Sequence, residues 1–172
     1  MMNLSQLNEN EYNPHYKSYI LELGDVDLIE ILTASSEELL KTIKDLPEKK
    51  LLFRYNEGKW TIKELLQHII DTERIMSYRA LRFSRNDATE LQGFDENWYV
   101  ENSNGNDRNF DDLLEEFICT RRASISLFKS FTDEMLFLSG TANGSDMTVR
   151  ALGFIIAGHQ IHHLKIIKER YL

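Results

Sequence analysis

Two prolines, Pro14 and Pro47, are all that interrupt 172 residues. A chain so poor in proline can run long helices, and four stretches repeat their apolar residues every three to four positions. No stretch of any length alternates as a half-buried strand does. The first helix is expected from about Asp25 to Leu46, with Leu28, Leu32, Leu39 and Ile43 on one stripe at about 100° per residue. Pro47 and the charged Glu48-Lys49-Lys50 end it. The second opens on Thr61-Ile62-Lys63-Glu64, a capping box in which hydroxyl and carboxylate satisfy reciprocal free amides. Its apolar face takes in Leu65, Leu66, Ile69, Ile70 and Met76 and continues to about Phe83. The third spans roughly Phe110 to Phe131, with Phe110, Leu114, Phe117 and Phe128 in register. The fourth starts near Thr148, a natural N-cap after Asn143-Gly144-Ser145-Asp146, and runs to the end of the sequence.

Four helices of about twenty residues predict an all-α four-helix bundle. Residues 25–172 would form it, with residues 1–24 as an N-terminal extension packed on the body. Two connections are long. That from Asn86 to Asn109 carries Gly93, Gly105, Phe94, Trp98 and Tyr99, and a loop of this length has a function or packs as a lid. That from Thr132 to Met147 is shorter and more polar.

Composition bounds the function. Twenty basic residues against 28 acidic ones give a net charge of −8, which argues against nucleic acid as the partner. No apolar run is long enough to span a membrane, and the first residues lack a basic segment followed by an apolar one, so a cytoplasmic location is expected. The single cysteine, Cys119, excludes an intramolecular disulfide and a cysteine-based zinc cluster. No phosphate loop, Gly-x-Ser-x-Gly elbow or His-Glu-x-x-His motif is present.

The histidines carry the strongest chemical signal. His159 and His163 lie one turn apart on the fourth helix, within about 40° of each other and in the middle of the stripe of Leu152, Ile155, Ile156 and Ile166. Side chains at this spacing have Cβ atoms about 5–6 Å apart, so both imidazoles can reach one ion. His162 falls about 100° from His163, at the edge of the stripe. A third ligand must come from elsewhere. His68, mid-way along the second helix, shares a mixed face with Thr72 and Arg79, flanked by Glu64 and Asp71, as suits a polar pocket wall. His15, beside Pro14, reads as a surface residue. Three neutral imidazoles would hold a divalent ion, zinc or nickel most readily and iron or manganese as alternatives, with positions open for water or substrate. Asp71 is a candidate base or ligand-orienting group, or else a partner of Arg74. Arg79 and Arg82 are candidates for holding an anionic substrate, or else surface-paired. Arg121 falls on the apolar stripe of the third helix and is expected to pair with an acid. Trp60 fits a hydrophobic staple at the start of the second helix.

The segment Gly58-Lys59-Trp60-Thr61-Ile62-Lys63-Glu64-Leu65-Leu66-Gln67-His68-Ile69-Ile70-Asp71-Thr72-Glu73-Arg74-Ile75 resembles the signature of the DinB/YfiT-like family. Tyr78-Arg79-Ala80-Leu81-Arg82-Phe83 and Gly93-Phe94-Asp95-Glu96 continue the likeness, and Gly158-His159-Gln160-Ile161-His162-His163-Leu164-Lys165 resembles its C-terminal motif. It departs at Leu91-Gln92-Gly93, where a proline is expected before the glycine. The resemblance implies up-down-down-up topology, a homodimer, and a metal held by His68, His159 and His163. It implies a metal-dependent hydrolase acting on a small molecule. The alternative is a transferase that activates a low-molecular-weight thiol of the bacillithiol type, and the third reading is a metal-binding dimer without catalysis.

Overall fold

The computed structural model describes residues 2–172. In chain order its helices are α1 Lys17–Leu21, α2 Leu28–Ile43, α3 Glu48–Leu51, α4 Ile62–Ser84, α5 Glu96–Glu101, α6 Phe110–Lys129, α7 Asp133–Phe137 and α8 Val149–Arg170. Strands β1 Ser139–Ala142 and β2 Ser145–Thr148 form a hairpin. Each long helix begins on a side chain that accepts its first free amides. Asp27 takes those of Ile29 and Glu30 at 2.9 and 3.2 Å, and Asn109 that of Asp111 at 2.8 Å. Thr61 and Glu64 form the expected box, at 3.1 and 2.7 Å. Thr148 caps α8 through the amide of Ala151.

Helices α2, α4, α6 and α8 make the bundle. Both α2 and α4 pack on α6 and α8, so the consecutive pair α2 and α4 is diagonal. Cross-links give the directions. Gln67–Arg108, Arg74–Glu116 and Ser77–Ser124 ascend together, so α4 and α6 are parallel. Ser35–Gln160 and Glu38–Lys168 make α2 and α8 parallel. The Tyr171 hydroxyl after α8 donates to the Trp60 carbonyl ahead of α4, whereas Phe83 near the other end of α4 packs on Gly140 ahead of α8. That pair is antiparallel, and the order is up-down-down-up.

This topology explains the long connection. A parallel neighbour of α4 can start only after the chain has travelled back along a 23-residue helix, about 35 Å. Residues 85–109 make that return, carrying α5 with them.

The apolar core falls into two parts. One gathers Leu28, Leu32, Met76, Phe83, Phe128 and Phe154, the other Leu39, Ile43, Ile70, Phe117, Leu164 and Ile167. A polar layer separates them. Arg121, 2% exposed, donates from Nε and Nη2 to the two oxygens of Glu73, both at 2.9 Å, and from Nη1 to the Leu32 carbonyl at 2.7 Å. Gln160 donates to the Ser35 carbonyl at 2.7 Å. The expectation that Arg121 is paired with an acid is met by a helix-to-helix tie.

Two features go beyond the sequence reading. The segment 132–147, read as a polar connection, holds α7 and most of the hairpin, whose turn residues Asn143 and Gly144 have φ of 51° and 69°. Such angles favour Asn-Gly, the pair present. The N-terminal extension, expected to pack on the body, also contributes to its interior: Tyr12, Ile20 and Leu23 enter the core, and Glu11 receives Thr148 and a bidentate Arg150. Gly158 makes room for α1, because a Cβ there would stand 2.5 Å from the Tyr19 carbonyl oxygen. Among the described residues no helix is long and apolar enough to cross a membrane.

Candidate metal centre

The capped starts of α4 and α8 fix the register that turns three histidines toward one another. His159 Nε2 lies 2.9 Å from His68 Nε2 and 3.0 Å from His163 Nε2. All three side chains are buried, and their ligand atoms lie within 4.8 Å of one another. Burial pushes the pKa of His68 down to about 4. It holds those of His159 and His163 well below the ordinary range, assisted by the neighbouring imidazoles. The trio is therefore neutral at pH 7.

A neutral imidazole offers one N–H and one lone pair. His159 Nε2 faces two nitrogens, so at most one of its two contacts is a full hydrogen bond. His163 Nδ1 is buried without a partner among the described residues. A divalent cation removes the conflict by accepting all three Nε2 lone pairs. Two bonds of about 2.0–2.1 Å meeting near a right angle separate their nitrogens by about 3 Å, the spacing found here. The donor set fits such an ion.

Aromatic rings cover the trio. Trp60 packs on His68 with ring centres 4.7 Å apart, and Tyr19 stands edge-on to His159 at 5.8 Å. Trp60 thus shields a candidate ligand, a role beyond fixing the start of α4. A cavity of about 210 Å³, lined in part by Tyr55, Trp60, Asn97 and Tyr171, reaches His163. The acid beside the site is Glu96, on α5, with Oε2 3.8 Å from His68 Nε2. Sequence reasoning missed it. It lies in the quoted Gly93-Phe94-Asp95-Glu96, but nothing in the local pattern reveals that the return connection folds over α4.

The other candidates separate. Asp71 turns toward α6. Its Oδ1 accepts from Gln67 at 3.0 Å and lies 4.0 Å from Arg74, and burial raises its pKa against these partners. Arg82 is engaged by Asp87 and Tyr78. Arg79 is buried and lines a cavity of about 260 Å³ with His15, Tyr16, Gly93, Phe94, Glu96 and Asn143. His162 stays at the edge, packed on Tyr19 at 4.9 Å, and His15 is exposed.

The family model of the DinB superfamily matches residues 31–167. No curated protein matches the sequence. Among solved structures, YfiT from Bacillus subtilis, a probable metal-dependent hydrolase with an unusual four-helix bundle topology, superposes with a TM-score of 0.76. The alignment covers 95% of this chain and 90% of that one at 16% identity, a likeness of fold.

Proposed function

The chain belongs to the DinB superfamily, and from that premise we propose that it is a metal-dependent hydrolase whose divalent ion is held by His68, His159 and His163. The observation that carries this reading is the set of three buried Nε2 atoms that cannot satisfy one another. The fold shared with YfiT supports it. Zinc and nickel suit an all-nitrogen donor set best. When bound, such an ion supplies Lewis-acid activation of water at neutral pH.

The chain's own residues do the rest. The neutral imidazoles present lone pairs without first losing protons, because burial has already removed them. Trp60 and Tyr19 keep bulk water from His68 and His159. The Glu96 carboxylate, half-exposed beside His68, accepts the proton of an attacking water and returns it to the alcohol or amine that leaves as the ester or amide bond breaks. Asp71, bonded elsewhere, has no part in that transfer.

Calorimetric titration with zinc and nickel tests the site. Each of His68→Ala, His159→Ala and His163→Ala should lose binding, whereas His15→Ala should keep it. Hydrolysis of esters or amides by the metal-loaded protein, lowered in Glu96→Gln, supports the reaction. Turnover of bacillithiol with electrophiles instead would reassign it to S-transfer, and silence in both assays would leave a metal-binding protein without catalysis. The resemblance also carries homodimerisation, which light scattering checks against the 20.2 kDa chain.

A further inference from the structure

Three arginines are buried: Arg79, Arg121 and Arg150, at 3%, 2% and 5% exposure. A guanidinium out of water is costly unless a carboxylate neutralises it and its donors are met. Arg121 has both oxygens of Glu73, and Arg150 both oxygens of Glu11. Arg79 has neither. Its Nη2 donates to the Gln92 carbonyl at 3.0 Å, its Nη1 meets the weak Met76 sulfur acceptor at 3.7 Å, and the Tyr16 phenol stands beside it. Among the described residues no carboxylate lies within 4.0 Å of it. Arg79 also lines the cavity of about 260 Å³. Glu96, the acid on that cavity's wall, has its carboxylate beside His68.

We propose that Arg79 is the anchor of a carboxylate subsite, so that the substrate carries a carboxylate at the end remote from the reacting bond. This deepens the hydrolase reading and rests on it for the position of the reacting end. His68 and Arg79 lie eleven residues apart on α4, within about 20° of one face and about 16 Å along the axis. Both side chains lean toward the N-terminus, the longer arginine further than the histidine, so their end groups stand on the order of 10–15 Å apart. That is the span of a small peptide-sized acid. The other two buried arginines show what completes such a group in this protein, a planar carboxylate taken by two N–H donors.

Titration with glutarate and with its neutral isostere glutaramide tests the subsite, read from the Arg79 Nε–H nuclear magnetic resonance signal. The metal-free protein is used alongside the zinc-loaded one, so that a carboxylate taken by the ion is not mistaken for one taken by Arg79. Glutarate should shift that signal in both forms and bind at least about tenfold more tightly than glutaramide. Arg79→Gln should abolish the difference and Arg79→Lys should restore part of it. Should Arg79→Gln fail to fold, the contrast between the two ligands in the unmodified protein still decides. Equal binding of the two ligands, or an unmoved Arg79 signal, overturns the subsite. Inorganic phosphate saturating below glutarate overturns its assignment to carboxylates. Glutarate binding without zinc binding would sink the hydrolase reading and leave the subsite standing, and the reverse result would do the opposite.

Discussion

Glu73 and His68 are five residues apart on α4, and Gln160 and His159 are adjacent on α8, yet these residues build two polar regions of opposite character. Glu73 and Gln160 belong to the layer around Arg121, where guanidinium, carboxylate, amide and hydroxyl find partners on facing helices. His68 and His159 belong to a set whose nitrogens compete for one another. Both regions are buried and both span α4 and α8. A satisfied network fixes the register of four helices, whereas an unsatisfied one of equal burial lowers stability unless something is added to it. The first region is structural, and the second is the one proposed as a site.

The sharpest way to break the comparison is Glu73→Gln, which leaves Arg121 buried and charged with its partner gone. Urea unfolding should show a loss of about 3–5 kcal/mol. A loss below about 1 kcal/mol would mean the layer is not the tie described.

Acid should act on the other region. In the unfolded chain His68 takes up a proton near pH 6.5, but in the folded protein only near pH 4. On acidification the unfolded state therefore gains protons first, and stability of the metal-free protein is lost between those values. His68 alone accounts for about 3 kcal/mol by the lower limit. His159 and His163 act in the same direction. Urea unfolding at pH 7.5 and 4.5 should show a smaller acid loss in His68→Leu than in the unmodified protein, and an equal loss would be inconsistent with a neutral buried His68.

His163→Leu distinguishes a site from a structural network directly. Zinc at a hundredfold excess over its dissociation constant should stabilise the unmodified protein by about 2.7 kcal/mol, and the variant should show no such gain in melting temperature. Without metal the variant should be no less stable than the parent, because it removes the orphaned Nδ1. The smallest effect belongs to His162→Ala. It should keep the zinc response and change stability by about 0.5 kcal/mol, the loss of an edge contact with Tyr19.

What the sequence disclosed follows from how local each signal is. The Thr61 box and the Thr148 cap are set within four residues, and from them the register of His68, His159 and His163 follows by helical arithmetic. The hairpin was also written locally, in Asn143-Gly144, but its four-residue strands are too short for alternation to show. Glu96, the cavity around Arg79 and the anchoring of Glu11 by Arg150 depend on where distant segments cross, which no window of sequence contains. Of the two roles open to Asp71, the structure shows the contact with Arg74, because a helix face gives direction but not the identity of the neighbour it meets.

The return connection between the parallel helices α4 and α6 has one more consequence. Its length is imposed by topology, so the protein must keep a long surface segment whatever the reaction. That segment brings Glu96 beside His68 and lines the cavity around Arg79 with Gly93, Phe94 and Glu96, while the three histidines stay on α4 and α8. The histidines and Arg79 are thus encoded on the helices, and the wall that faces them in a separate stretch of chain. Exchanging residues 86–109 should therefore change one wall of that cavity while leaving the histidine trio and Arg79 on their helices, which makes this connection the place to graft a new substrate range.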